Sequence, residues 1–344
     1  MDKLRTTNLL LLIIALPILF YVLHLLSFIF IPLLFAMFIA LLFLPVMRWL
    51  LKKKVPKVIS LLLVIIIIIG FIAVIFGIIH LSFKEILSAN EDIFQKANQK
   101  ISILIMNIES FFGIHHLSNE NNLSRYLNKI DFSKNLGSSI GSIGKIISSL
   151  FLTSFFSVVL LAGSVNFEKI LNSVLIKQKF TSVKIFMQIE NDLLKFIKVK
   201  FIISLFTGIG FSLACYYFNV SFPIFWGFLA FSINFIQMIG SIISVILLSL
   251  FAFIELDANS TLLLFIFTIT MVQVIMGSIL EPLFMGKTFS INVLTIVIML
   301  LFWGFIWGIP GMILSIPLTV FIKIILEQFP KTKLLAKLLS GQTN

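Results

Sequence analysis

Long apolar runs alternate with short polar ones along this chain, and their lengths decide what each can be. Residues 9–47, 59–81, 143–165, 201–218 and 261–280 carry almost no charge. A helix needs roughly 20 apolar residues to cross a bilayer. The first run therefore predicts two helices in tight succession, with Pro32 near the turn, and each of the others predicts one. Period-two alternation, which a closed membrane barrel requires, is missing, so the spans are helical. The fold class is an all-α polytopic membrane protein.

Two later runs have awkward lengths. Residues 222–254 are interrupted by NFIQMIGS at 234–241, and residues 291–326 by WGFIWGIPG at 303–311. As one unbroken helix each would be about 50 Å long, against a hydrocarbon core of about 30 Å. Two full crossings would need about 40 residues plus a turn. The reading that fits is a re-entrant hairpin: two half-length helices meeting at a tip, buried in protein or facing water. One crossing helix plus one hairpin, repeated upside down, predicts an inverted repeat. At the second tip Gly304, Gly308, Pro310 and Gly311 let the backbone turn and approach its neighbours. The competing reading makes Gly304 and Gly308 a GxxxG stripe between closely packed straight helices.

Charge supplies the sidedness. RWLLKKKVPK at 48–57 is basic without an acid and reads as cytoplasmic. Residues 84–142 balance six bases against six acids, as an outer-side helical insert would. His115 and His116 within it read as solvated surface residues. Residues 166–200 carry seven lysines against Glu168, Glu190 and Asp192, with Phe186, Ile189, Leu193, Phe196 and Ile197 on one face. That pattern predicts an amphipathic helix along the inner interface. MDKLRTTN begins like a signal peptide, but the apolar run after it is too long and lacks a small-residue cleavage site. It reads as a retained helix, with both termini cytoplasmic.

Composition agrees. The chain is 60% hydrophobic and 12% charged, with mean hydropathy +1.15, against about 25% charged residues in soluble domains. The net charge of +12 flanks apolar runs, where it fixes topology, and does not call for nucleic acid. A single cysteine, Cys215, allows no internal disulfide. A Gly-rich phosphate loop ending in Lys-Ser/Thr, HExxH and CxxC are all missing, so no enzyme activity, cofactor or metal is expected. Active transport would have to draw on an ion gradient.

Polar groups at membrane depth are costly, which makes each a functional candidate. On the first tip these are Asn234, Gln237, Gly240 and Ser241, with Ser232 and Ser244 nearby. Interhelical hydrogen bonding is the alternative for Asn234 and Gln237. On the following crossing helix they are Gln273, Ser278, Glu281 and Pro282. Glu281 reads either as a proton or cation relay or as an interfacial acid paired with Lys287. His24 in the first helix reads as an interfacial or interhelical hydrogen-bonder.

With these pieces in order, the chain resembles the autoinducer-2 exporter family of bacterial transporters. The resemblance rests on IALLFLPVMRWLLKKKVPK, FIKVKFIISLFTGIGF, NFIQMIGS, EPLFMGKTFSINVL and WGFIWGIPGMILSIPL, and covers nearly the whole length. It departs at Gln237, where the family typically has proline. The resemblance implies a multi-pass carrier in the bacterial inner membrane, assembled as a homo-oligomer, with a pentamer as one form. It also implies export of autoinducer-2 or sodium/proton antiport as activities.

The expectation is therefore a secondary transporter for a small polar solute or ion, working by alternating access. Its parts are N-terminal transmembrane helices (1–82), an external helical domain (83–142), a transmembrane helix plus cytoplasmic amphipathic helix (143–200), an inverted-repeat transport core (201–328) and a cytoplasmic tail (329–344). Its partners are the lipid bilayer, the solute or ion, and further copies of itself. A non-transporting membrane scaffold is the reading from another class.

Overall fold

The computed structural model describes residues 2–87, 96, 99–100, 103, 148–163, 181–256, 260–286, 291–328 and 332–340. Most of the expected external domain, with His115 and His116, lies outside them, as do Lys287, residues 164–180 and parts of the tail. Among the described residues every regular element is helical. Five helices among the described residues are long and apolar enough to cross a membrane.

The first three are α1 (Asp2–Leu25), α2 (Ser27–Lys52) and α3 (Lys57–Leu87). The turn between α1 and α2 falls at Leu26, and Pro32 lies inside α2 rather than at the turn. Next come α4 (Ser148–Gly163) and α5 (Thr181–Tyr217). α5 runs without interruption through residue 200, where the sequence suggested that an amphipathic helix passes into a crossing one. No glycine or proline occurs between residues 181 and 207 to stop it.

Residues 223–255 form α6 (Pro223–Ile233) and α7 (Ile239–Glu255), packed against each other across a short break. Then α8 (Ser260–Gln273) passes into a π-helical stretch (Val274–Leu280) and α9 (Glu281–Met285). The chain ends in α10 (Val293–Gln328), whose two limbs meet at a non-helical Gly308, and α11 (Lys333–Ser340).

These elements form two compact units. One comprises Met1–Gly70, Ser149–Phe201 and Glu281–Asn344; the other comprises Phe71–Ser148 and Ile202–Leu280. In the first, Trp303, Ile306, Trp307 and Leu314 around the α10 kink are buried among Phe20 and Leu23 of α1 and Leu34 and Phe35 of α2. In the second, Phe211, Cys215, Trp226, Leu248 and Phe265 share one core from four helices. The α5–α6 approach is set by glycine. A Cβ on Gly208 would lie 2.6 Å from the Gly227 carbonyl oxygen, and one on Gly227 would lie 2.7 Å from that of Gly208. Close backbone approach of this kind drives helix association where lipid removes the hydrophobic incentive.

Candidate functional site

The break between α6 and α7 is a tight reversal. Met238 takes φ 60° and ψ −56°, and the Ile239 N–H donates to the Gln237 carbonyl at 2.7 Å. This is a γ-turn of the positive-φ kind, which is rare and strained. Where the resemblance would place a proline, Gln237 leaves the turn to its successor. Gly240 closes it: a Cβ there would lie 2.0 Å from the Ile233 carbonyl oxygen.

The reversal gathers polar side chains. Asn234, fully buried at the C-cap of α6, donates from Nδ2 to Ser204 Oγ of α5 at 3.1 Å. Its Oδ1 accepts from the Ser241 hydroxyl (3.2 Å) and from Gln273 Nε2 (3.3 Å). Gln273 Nε2 also donates to Ser241 Oγ at 2.6 Å, and the Ser244 hydroxyl donates to the Ser241 carbonyl at 3.0 Å. Gln273 Oε1 is buried and has no hydrogen-bond partner. Gly277 makes room for this amide, since a Cβ there would lie 2.9 Å from Gln273 Nε2. The residues after Gln273 wind as a π-helix, a wide turn often found at functional sites. The cluster is uncharged and holds one buried acceptor without a donor.

Of the residues singled out by sequence, Asn234, Ser241 and Gln273 come together here, and Gly240 permits the turn. Gln237 is half-buried and supplies a backbone acceptor to the turn. Ser278 and Pro282 are exposed. Ser204 was missed because it lies in an apolar stretch with no breaker beside it.

Glu281 is buried and ion-paired. Lys200 Nζ lies 2.8 Å from Oε1 and 3.0 Å from Oε2, with only 2% and 5% of the two side chains exposed. Lys200 is the base facing it; Lys287, the partner the sequence suggested, lies outside the described residues. Sequence reasoning missed Lys200 by grouping it with interfacial lysines. The signal that could have found it is the unbroken helical pattern through residue 200. Two charges taken out of water are costly unless each satisfies the other, and the bidentate contact does so.

The second tip turns at Gly308, with φ 64° and ψ −144°, a conformation essentially reserved for glycine. A Cβ on Gly311 would lie 1.9 Å from the Trp303 carbonyl oxygen, and one on Gly304 would lie 2.9 Å from Met312 Cε. In a straight helix, residues 303 and 311 would be about 12 Å apart, so the two limbs fold back on each other. Gly304 therefore packs against the returning limb of its own helix. The turn at Gly308 interrupts the helix between Ile306 and Pro310, and Pro310 has no N–H to offer the Ile306 carbonyl four residues earlier. His24 of α1 supplies the donor instead, with its imidazole Nδ1 2.6 Å from that oxygen. The Trp307 indole N–H donates in turn to the Leu23 carbonyl at 3.0 Å. Of the interfacial and interhelical roles its position suggested, His24 thus takes the interhelical one.

Residues 10–331 match the profile of a family described as AI-2E family transporter. A protein of Haemophilus influenzae named "Putative transport protein" is 27% identical over 323 residues, covering 90% of this chain and 89% of its own. A protein of Borreliella burgdorferi with the same name is 34% identical over 154 residues, which are 44% of this chain and 42% of that one. The AI-2 transport protein TqsA of Escherichia coli is 34% identical over 145 residues, 42% of each chain.

Proposed function

Because the chain belongs to the AI-2E family of transporters, we propose that it is a secondary transporter for a small, uncharged, hydroxyl-bearing solute in the bacterial inner membrane. The observation that carries this reading is the Asn234–Ser241–Gln273 cluster at a helix break. It is neutral, is centred on the buried Asn234 and Gln273, and holds in Gln273 Oε1 a buried acceptor without a donor, which a solute would reach once the tip opens. An O–H group of the solute completes that bond. The name of one relative mentions AI-2, which is one candidate solute. In this reading the breaks at 234–238 and at Gly308 are the tips of two re-entrant hairpins entering from opposite faces. Their glycine-closed reversals support it, each placing a Cβ on a carbonyl oxygen seven or eight residues earlier. Alternating access would expose the cluster to each side in turn.

Purified protein in liposomes, offered radiolabelled D-ribose, D-xylose and erythritol under imposed sodium or proton gradients, tests the proposal. Saturable uptake that fails in Gln273→Leu is expected. Uptake equal to that of empty liposomes for every neutral solute would remove it.

A second reading, sodium/proton antiport, is favoured by the Lys200–Glu281 pair. A cation taking the place of the Lys200 ammonium on Glu281 keeps the site neutral only if Lys200 releases a proton. Radioactive sodium uptake driven by an outward proton gradient, lost in Glu281→Gln, would establish this activity instead.

A further inference from the structure

The ends of the α6–α7 hairpin opposite its tip are held by charges from elsewhere in the chain. Phe222, the N-cap of α6, adopts a left-handed conformation and makes no side-chain capping bond, and Pro223 after it has no N–H. The first free N–H groups of α6 are therefore those of Ile224 and Phe225. Both donate to the carboxylate of Glu85, in the last turn of α3, at 3.3 and 3.1 Å. At the other foot α7 ends at Glu255 with carbonyls that lack helical partners. The Lys100 ammonium donates to the carbonyls of Phe253 (3.1 Å) and Leu256 and lies 5.8 Å from the Phe253 ring. Glu255 ties the two feet together by accepting from the Ser221 N–H at 2.8 Å and from the Ser221 hydroxyl.

The signs match the helix dipoles. An anion sits at the positive end of α6 and a cation at the negative end of α7. Neither Glu85 nor Lys100 belongs to the hairpin, and both precede it by more than a hundred residues. We propose that Glu85 and Lys100 are positioning residues that latch both feet of the hairpin and so set the freedom of its tip, where Asn234 and Ser241 lie. When either charge withdraws, the corresponding helix end loses its only partner from outside the hairpin among the bonds described above. The hairpin then moves as a unit about Ser221 and Glu255. This inference rests on the hairpin geometry and not on the transporter reading.

The test uses full-length protein in nanodiscs, with two readouts for Glu85→Gln and Lys100→Met. The first is hydrogen exchange of the amides at Ile224 and Phe225 and at the end of α7. Opening of a capped helix end is expected to speed exchange there by about tenfold. The second is the maleimide labelling rate of a cysteine placed at Met238, in a Cys215→Ala background. Released feet should raise that rate by about threefold through a larger open population. Glu85→Asp, which keeps the charge, should restore most of the protection and show that the fold is intact. Unchanged exchange in both variants would overturn the latch. Faster exchange at the feet with unchanged labelling at the tip would also overturn it, leaving two local caps. Because neither readout needs a solute, the result stands whether or not the transporter reading does.

Discussion

Trp303 and Gly311 meet backbone to backbone: a Cβ on Gly311 would sit 1.9 Å from the Trp303 carbonyl oxygen. Gly308, where the chain turns, has open space around its own Cβ position. The two glycines are thus required for different reasons, one for contact and one for conformation. Gly311→Ala forces two backbones apart, which no side-chain rotation relieves, and should cost about 3 kcal/mol or more by the overpacking mechanism. Gly308→Ala should cost about 1–2 kcal/mol, the strain of a positive-φ position. Thermal unfolding in detergent measures both. Equal losses, or a larger one at Gly308, would contradict the folded-back tip.

The Lys200–Glu281 pair predicts a particular order of stabilities. Removing one partner leaves an unpaired charge in an apolar setting, so Lys200→Met and Glu281→Gln should each lose about 3 kcal/mol or more. The double variant Lys200→Met/Glu281→Gln leaves no charge and should be more stable than either single. A double variant that loses the sum of the single losses would mean that the groups do not face each other in the membrane.

How much of this was legible in the sequence depended on distance along the chain. Helical spans, the break at NFIQMIGS and the glycine turn after Trp303 are local patterns of apolar length and backbone breakers, and they could be read directly. Asn234, Ser241 and Gln273 could be nominated singly because polar atoms are costly in lipid. Their partnership could not, since it depends on how α5, α7 and α8 pack. Lys200 shows the limit most clearly. Beside other lysines it looked interfacial, and only the continuity of α5, with Glu281 returning 81 residues later, makes it a buried partner. Glu85 and Lys100 were likewise read as charges of an external segment, because a helix end capped from a distant part of the chain leaves no local trace.

Gly277 offers a gentle test of the amide cluster. A methyl group there would lie 2.9 Å from Gln273 Nε2, the mobile end of a side chain, so the helix tolerates it while the amide is displaced. Gly277→Ala should keep the folding temperature and raise the KM for a neutral polyol by about tenfold, equivalent to one hydrogen bond of about 1.4 kcal/mol. An unaltered KM, in liposomes where Gln273→Leu abolishes uptake, would show that the Gln273 amide need not hold this position.

The second tip depends on a donor borrowed from α1. Pro310 cannot satisfy the Ile306 carbonyl, and His24 does so across the helix pair, while Trp307 returns a bond to Leu23. His24→Phe leaves a carbonyl without its donor at a broken helix end and should cost about 1–2 kcal/mol. Pro310→Ala restores an N–H at the position where an uninterrupted helix would place the donor for Ile306. If the borrowed bond exists because of the proline, His24→Phe should be less damaging in the Pro310→Ala background than in the native one. Thermal unfolding of the four proteins completes this cycle. Strict additivity would show that the turn at Gly308, and not the proline, withholds a helical donor from Ile306.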